Sequence, residues 1–182
     1  MKRVMIVGGP GSGKSTLAVQ LGEATGLPVF HMDKIHYSPG WVDREKSVKT
    51  AMTHEIHVLE HWIFEGGHSA TYPERMARAD HFIWLDIPLW KRIYRVLRRC
   101  YMHHGKVRPD MQAECPERFD RKMIDFLWFI IRTRNTARLK LAGIYANPPK
   151  HLHMVKLTNQ NDIDALLSTA PQSSALFETQ PQ

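Results

Sequence analysis

Arg3-Val4-Met5-Ile6-Val7, running into Gly8-Gly9-Pro10-Gly11-Ser12-Gly13-Lys14-Ser15-Thr16, is the stretch on which the reading of this chain turns. The apolar run suits a strand buried on both faces of a parallel sheet, and it stops at glycines. From residue 14 to 25 good helix formers follow, among them Leu17, Ala18, Gln20, Leu21 and Glu23, closed by Gly26 and Pro28. The junction matches G-x-x-x-x-G-K-[ST] in the strand-to-helix context that gives this pattern its meaning. Glycines let the backbone curl so that successive N–H groups face phosphate oxygens, and the helix adds the positive end of its dipole. Gly8 to Thr16 therefore read as a nucleotide-phosphate site. Lys14 reaches the β- and γ-phosphates of ATP, and the Ser15 hydroxyl is placed to ligate Mg²⁺.

Outward from this loop, strands and helices alternate. Residues 28–32 and 61–64 read as further strands, and Asp43 can cap a helix over 44–59 in which Val48, Met52, Ile56 and Leu59 recur at helical spacing. Thr71-Tyr72-Pro73-Glu74 fits a capping box, and residues 81–85 form a fourth strand with Pro88 starting the next helix. A loop over 105–116 precedes a long amphipathic helix to about residue 141, with Met123, Phe126, Leu127, Ile130 and Ile131 on its apolar side. Residues 152–157 are a fifth strand and 163–167 a last helix. This alternation implies an α/β domain with a parallel sheet covered on both faces, whose ligands sit at the carboxyl ends of the strands.

The chain has 182 residues, enough for one domain with a substantial core. Its six-residue apolar maximum, Phe126 to Ile131, falls short of a membrane span, and two cysteines make no disulfide framework. The expectation is a cytoplasmic protein with no membrane partner. The formal charge is +7, and residues 91–140 hold 14 cations against 5 acids, a local net of +9. The partner of that segment is anionic: a polyphosphate ligand, a nucleic acid or an acidic surface.

Several pieces beyond the loop, namely His31-Met32-Asp33, Trp62-Ile63-Phe64-Glu65-Gly66, Leu85-Asp86-Ile87-Pro88, Arg98-Arg99 and Cys115-Pro116-Glu117-Arg118, follow one another in an order that resembles the bacterial DNA topology modulation protein family, which is adenylate-kinase-like. The resemblance covers roughly residues 1–168. It implies a three-layer P-loop fold with a five-stranded parallel sheet, helices on both faces and a small lid over about 99–118, leaving 169–182 as a tail rich in Pro, Gln, Ser and Thr. It also implies ATP with Mg²⁺ and phosphoryl transfer to an undefined acceptor.

Asp33 ends the second strand beside the loop, where a carboxylate can orient or deprotonate an acceptor hydroxyl or hold a magnesium-bound water; it can equally be a solvated turn residue. Glu65 ends the third strand, where P-loop proteins place the acid that supports Mg²⁺, although the kinase relatives usually carry Asp there. Asp86, just ahead of Pro88, reads as a helix-start residue. Arg92, Arg95 and Arg99 recur on one helix face; in adenylate-kinase-like folds that helix leads into a lid, which makes Arg99 and Arg108 the candidates to close on transferring phosphates, with Arg134 and Arg138 on the returning helix also placed to do so. Trp41 can stack on an acceptor ring or anchor the core. Thr158-Asn159-Gln160 are adenine candidates on the fold resemblance and turn formers on their own chemistry. The Asp-Gly-Phe-Pro-Arg signature of adenylate kinases is missing after Glu65, which speaks against an AMP acceptor. Cys100, His103, His104 and Cys115 lack the second close cysteine pair of common structural zinc sites.

Two functions of different kinds follow. One is a kinase that moves the ATP γ-phosphoryl group to a small-molecule or nucleotide acceptor. The other is a nucleotide-regulated DNA-binding, topology-modulating protein with no dedicated acceptor.

Overall fold

The computed structural model describes residues 1–170. Its centre is β1 (Arg3–Gly8), whose residues Val4 to Val7 are fully buried. The chain continues through α1 (Lys14–Thr25), β2 (Val29–His31), α2 (Met32–His36), a small hairpin of β3 (Tyr37–Ser38) and β4 (Val42–Asp43), α3 (Lys46–His57) and β5 (Trp62–Glu65). After a 3-10 turn over Ser69–Thr71 come α4 (Tyr72–Arg78), β6 (His81–Leu85), α5 (Leu89–Met102), α6 (Arg121–Ala146), β7 (His153–Leu157) and α7 (Gln160–Thr169). The main sheet has the order β2-β5-β1-β6-β7, and every pairing in it is parallel. An α/β fold with a five-stranded parallel sheet is thus what the alternating pattern produces.

The period of two along β1 divides the core. Val4 and Ile6 pack with Leu17, Ala18 and Leu21 of α1 and Ile163 of α7 on one face. Met5 and Val7 pack with Trp62, Phe64, Phe82, Trp84 and Leu141 of α6 on the other. Three layers result, and because β1 is central, its carboxyl end delivers the glycine loop to the middle of the sheet's rim.

Several expected boundaries move. Asp33 lies inside α2, two residues past a strand that ends at His31. Asp43 does not cap α3; it sits in β4 and pairs with Lys49 at 2.7 Å. The long helix begins at Arg121, where the Asp120 carboxylate accepts from the Met123 amide, and runs to Ala146. Thr71 does not cap α4: its hydroxyl donates to the His68 carbonyl, and Glu74 pairs with His54. Helix α7 extends through Thr169 and Ala170 is buried, which corrects the expected tail at these two residues; its remainder, from 171 on, lies outside the described residues.

The largest departure is α3. Only the middle of its apolar stripe faces inward: Met52 and Ile56 pack against the core and Val48 and Leu59 are exposed, while Lys49, Thr53 and His57 are buried. For His57 the reason is Arg75 on α4, which is fully buried with its guanidinium 4.0 Å over the Phe64 ring. A buried cation needs acceptors. Arg75 donates from Nη1 to the Gly66 carbonyl at 2.8 Å, and from Nε to His57 Nε2 at 3.2 Å. Helix α3 supplies one of them by carrying His57 inward beside Met52 and Ile56.

That arrangement makes stability depend on pH. Burial first, and the Arg75 guanidinium second, hold the His57 imidazole down to about 4, against the opposing pull of Glu74. The unfolded chain protonates this histidine near its ordinary value of 6.5. Between these two values the unfolded state carries more protons, so stability rises as pH rises through the window and levels off above it. Denaturant titrations at pH 5 and pH 7.5 should show the wild type losing about 1–2 kcal/mol more than His57→Gln on acidification. Equal losses would place the dependence on other groups.

Candidate functional site

The loop between β1 and α1 is braced from outside. Arg92 of α5 donates from Nε to the Pro10 carbonyl at 2.9 Å, and Arg95 donates from Nη1 to the Ser12 carbonyl at 2.8 Å. With these carbonyls engaged, the loop's N–H groups are what remains. The amides of Gly11, Gly13, Lys14, Ser15 and Thr16 donate to no protein acceptor among the described residues; the first bond of α1 runs from the Leu17 amide to the Gly13 carbonyl. The Ser12 hydroxyl is also buried without a partner. Orphaned donors at a helix start are the signature of an anion site. Gly8, Gly9, Pro10, Gly11, Gly13, Lys14, Ser15 and Thr16 line a cleft of about 2200 Å³.

Gly11 shows why the loop takes this form. Its φ is +76°, and a Cβ there would lie 2.4 Å from the Arg92 carbonyl oxygen, which is backbone and cannot swing away. Gly66, after β5, is constrained likewise, with φ +106° and a would-be Cβ 2.6 Å from the Met32 Cβ.

On the opposite rim the acids gather. Glu65, buried at the end of β5, has its Oε1 3.0 Å from the Ser15 hydroxyl, which donates to it, and 2.9 Å from His31 Nδ1. A hydroxyl and a carboxylate side by side form a hard oxygen set that suits Mg²⁺, an ion that keeps several waters and takes few protein ligands. These residues would hold it. Lys14 folds over the loop, donating from Nζ to the Gly9 carbonyl at 3.3 Å.

Asp33 opens to solvent on one side while the cleft walls crowd it on the other. Desolvation raises its pKa above the ordinary carboxylate value, Glu65 adds to the rise, and Lys14, Arg108 and Arg99 oppose it. All of these groups line the one cleft.

Arg99 and Arg108 meet at Glu117, with Nε to Oε1 distances of 3.2 and 2.7 Å, and Arg108 also donates from Nη1 to Asp110 at 2.6 Å. The other candidate arginines are engaged elsewhere. Arg92 and Arg95 hold loop carbonyls. Arg138 grips Asp86 through Nε and Nη2, at 2.9 and 3.0 Å, with Lys156 at 3.1 Å on the same carboxylate. Arg134 donates to its own helix, at the Ile131 carbonyl. Asp86 thus ties α6 to the end of β6. Asn159 caps α7 in a reciprocal box with Asp162. Trp41 is neither in the core nor free: its indole donates to the Pro116 carbonyl at 3.1 Å, and its amide donates to the Cys115 sulfur at 3.2 Å.

The bracing role of Arg92 and Arg95 is invisible to spacing alone, which puts Arg99 on the same face. The Glu65–His31 contact is equally silent in sequence, because the two residues meet only through β2–β5 pairing, where His31 is the direct partner of Glu65.

Solved structures with this architecture include shikimate kinase from Acinetobacter baumannii in complex with shikimate, at TM-score 0.57 and 16% identity over 92% of this chain and 89% of that one. A sugar kinase from Janibacter sp. HTCC2649 follows at TM-score 0.52 and 15% identity, covering 92% and 93%. The fold is that of the P-loop kinases. No family model and no curated protein sequence matches the chain, so its likeness to the topology modulation family stands on the motifs quoted above. Among the described residues no helix is long and apolar enough to cross a membrane.

Gly11→Ala should cost about 1–3 kcal/mol of unfolding free energy and weaken binding of a fluorescent ADP probe at least about tenfold. Gly40→Ala is the control: its φ is +79° but nothing lies within 4 Å of the added Cβ, so it should lose about 1 kcal/mol and no binding. Equal binding by both variants would detach the loop's shape from anion capture.

Proposed function

We propose that the protein is an ATP-dependent kinase that transfers the γ-phosphoryl group to a hydroxyl or phosphate oxygen of a small acceptor. The observation that carries this reading is the set of acceptor-free amides of Gly11, Gly13, Lys14, Ser15 and Thr16, beside which Ser15 and Glu65 touch at 3.0 Å. The P-loop kinase fold supports it.

In this reading the loop amides and Lys14 bind the phosphates and spread the charge that the terminal phosphoryl group carries. Ser15 and Glu65 would hold Mg²⁺, which when bound would supply further neutralisation of the phosphate charge. Asp33 orients the acceptor hydroxyl and takes its proton as the acceptor oxygen bonds to phosphorus and the bridging bond to ADP breaks. A raised Asp33 pKa suits a group that must accept a proton and later release it. Arg99 meets the phosphoryl oxygens from the lid side, and Arg108, paired with Asp110 and Glu117, adds its charge from behind it. Loop 66–71, fixed by Arg75, forms one wall of the acceptor space.

The basic segment also weighs toward this reading over the DNA-binding one. The cations nearest the phosphate loop, Arg92, Arg95, Arg99 and Arg108, are spent on loop carbonyls, Glu117 and Asp110, whereas Arg121, Lys122, Arg132 and Lys140 of α6 are exposed.

A labelled-ATP transfer screen over sugars, nucleosides, nucleotides and carboxylated polyols tests the proposal. Lys14→Ala should abolish transfer, by about 10³-fold or more, in a folded protein. Asp33→Asn should lower kcat by about 10²–10⁴ while ATP affinity stays within about threefold. Transfer at the wild-type rate by either variant would remove the role given to that residue.

A further inference from the structure

Segment 103–120 joins α5 to α6 and folds against itself through two bridges, His104 with Glu117 and Val107 with Pro116. At its base stand three buried or half-buried charges, Arg99, Arg108 and Glu117. Glu117 and Arg108 are each 7% exposed, an unusual depth for charged side chains. One carboxylate oxygen, Oε1 of Glu117, faces the Nε of both arginines, at 3.2 Å from Arg99 and 2.7 Å from Arg108. Neither N–H is aligned for a hydrogen bond with it, so these three atoms are held by charge and remain without directional partners. The terminal nitrogens of Arg99 make no hydrogen bond among the described residues, while those of Arg108 are partly spent on Asp110. Both arginines line the cleft, and both act electrostatically on Asp33.

Two guanidinium groups this close repel each other, and without an anion between them they would separate toward solvent. The backbone around Glu117 is fixed on both sides: the Gly105 amide donates to its carbonyl, and its own amide donates to the Lys106 carbonyl. A carboxylate on so firm a support sets where the arginines stand.

We propose that Glu117 is the positioning residue of the lid, gathering Arg99 and Arg108 by their Nε sides so that the free end of Arg99 is presented to a terminal phosphate. The inference rests on the kinase reading of the cleft and adds to it a residue whose work is to discriminate a triphosphate from a diphosphate. Arg99 is the group that touches phosphate; Glu117 acts through it. Glu117 never needs to leave its place, because the Nε side and the terminal nitrogens of one guanidinium are separate donors.

The test reads binding and needs no acceptor. Dissociation constants for ATP and ADP, with Mg²⁺ present, are measured by calorimetry on the full chain for wild type, Glu117→Gln, Arg99→Ala and the double variant. The wild type should prefer ATP. Glu117→Gln, which keeps the shape and removes the charge, should reduce the ATP/ADP preference about five- to tenfold with ADP affinity within about twofold. The double variant should be no worse than Arg99→Ala alone, since Glu117 works only through that side chain. ADP affinity also reports whether the loop and sheet remain folded.

An unchanged preference in Glu117→Gln, or additive losses in the double variant, overturns the proposal and leaves the kinase reading standing. Loss of ADP binding in Glu117→Gln makes the residue structural and overturns it as well. A wild type that binds neither nucleotide overturns the phosphate-loop reading itself, and the proposal with it.

Discussion

The N–H groups left over when β1 ends are the constraint from which the rest of the molecule follows. A strand at the centre of a parallel sheet has both edges paired, and here β5 and β6 flank β1 along its length. The chain must then leave the sheet and enter α1 with its first amides unsatisfied by the helix. Ordinary proteins cap such a start with a side-chain oxygen, but Gly13 offers none. The loop carbonyls are claimed by Arg92 and Arg95, which keeps them from collapsing onto the amides. What results is a ring of donors whose only adequate partner is an anion from outside.

This arrangement divides the basic residues of α5 into two duties by helical position. Arg92 and Arg95 point at the loop from behind and stabilise its shape. Arg99, one turn further on, reaches past the loop to the cleft, where Glu117 and Arg108 meet it. A single helix thus supports the phosphate cradle at its start and carries a charge toward the cleft at its end. Of the 14 cations over residues 91–140, Arg92, Arg95, Arg99, Arg108 and Arg138 are matched within the molecule, while Arg98, Arg118, Arg121, Lys122, Arg132 and Lys140 are exposed. Salt would screen the exposed remainder far more than these enclosed pairs.

The loop, the sheet and the placement of Glu65 were legible because each rests on local rules: apolar runs that stop at glycine, a helix start, and a strand end at the rim. Lys14 and Ser15 belong to the same short stretch, so their geometry comes with the motif. What the sequence concealed depends on pairs distant along the chain. His57 faces inward to accept from Arg75 and Lys49 to pair with Asp43, and no apolar periodicity announces these polar residues as buried. The hairpin at Tyr37–Ser38 and Val42–Asp43 is too short to show as strand, and spacing could not choose between an acceptor-ring and a core role for Trp41, whose indole donates to the Pro116 carbonyl. Asp86 and Arg138, 52 positions apart, could each be given a role only separately.

That hairpin has a further structural consequence. The Gly40 amide donates to the Glu114 carbonyl, the Trp41 amide to the Cys115 sulfur and the Trp41 indole to the Pro116 carbonyl, three successive residues on the segment that ends at Glu117. Trp41 holds a φ of +63°, a conformation costly for a bulky residue, and these three bonds are what offsets the cost. Tyr37 packs edge-on against the indole at 5.1 Å, and the same residue begins where α2, the helix of Asp33, ends. The chain from Asp33 to Trp41 and the segment from Glu114 to Glu117 are therefore mechanically continuous. Through Trp41 the two sides of the cleft are thus joined by direct contacts.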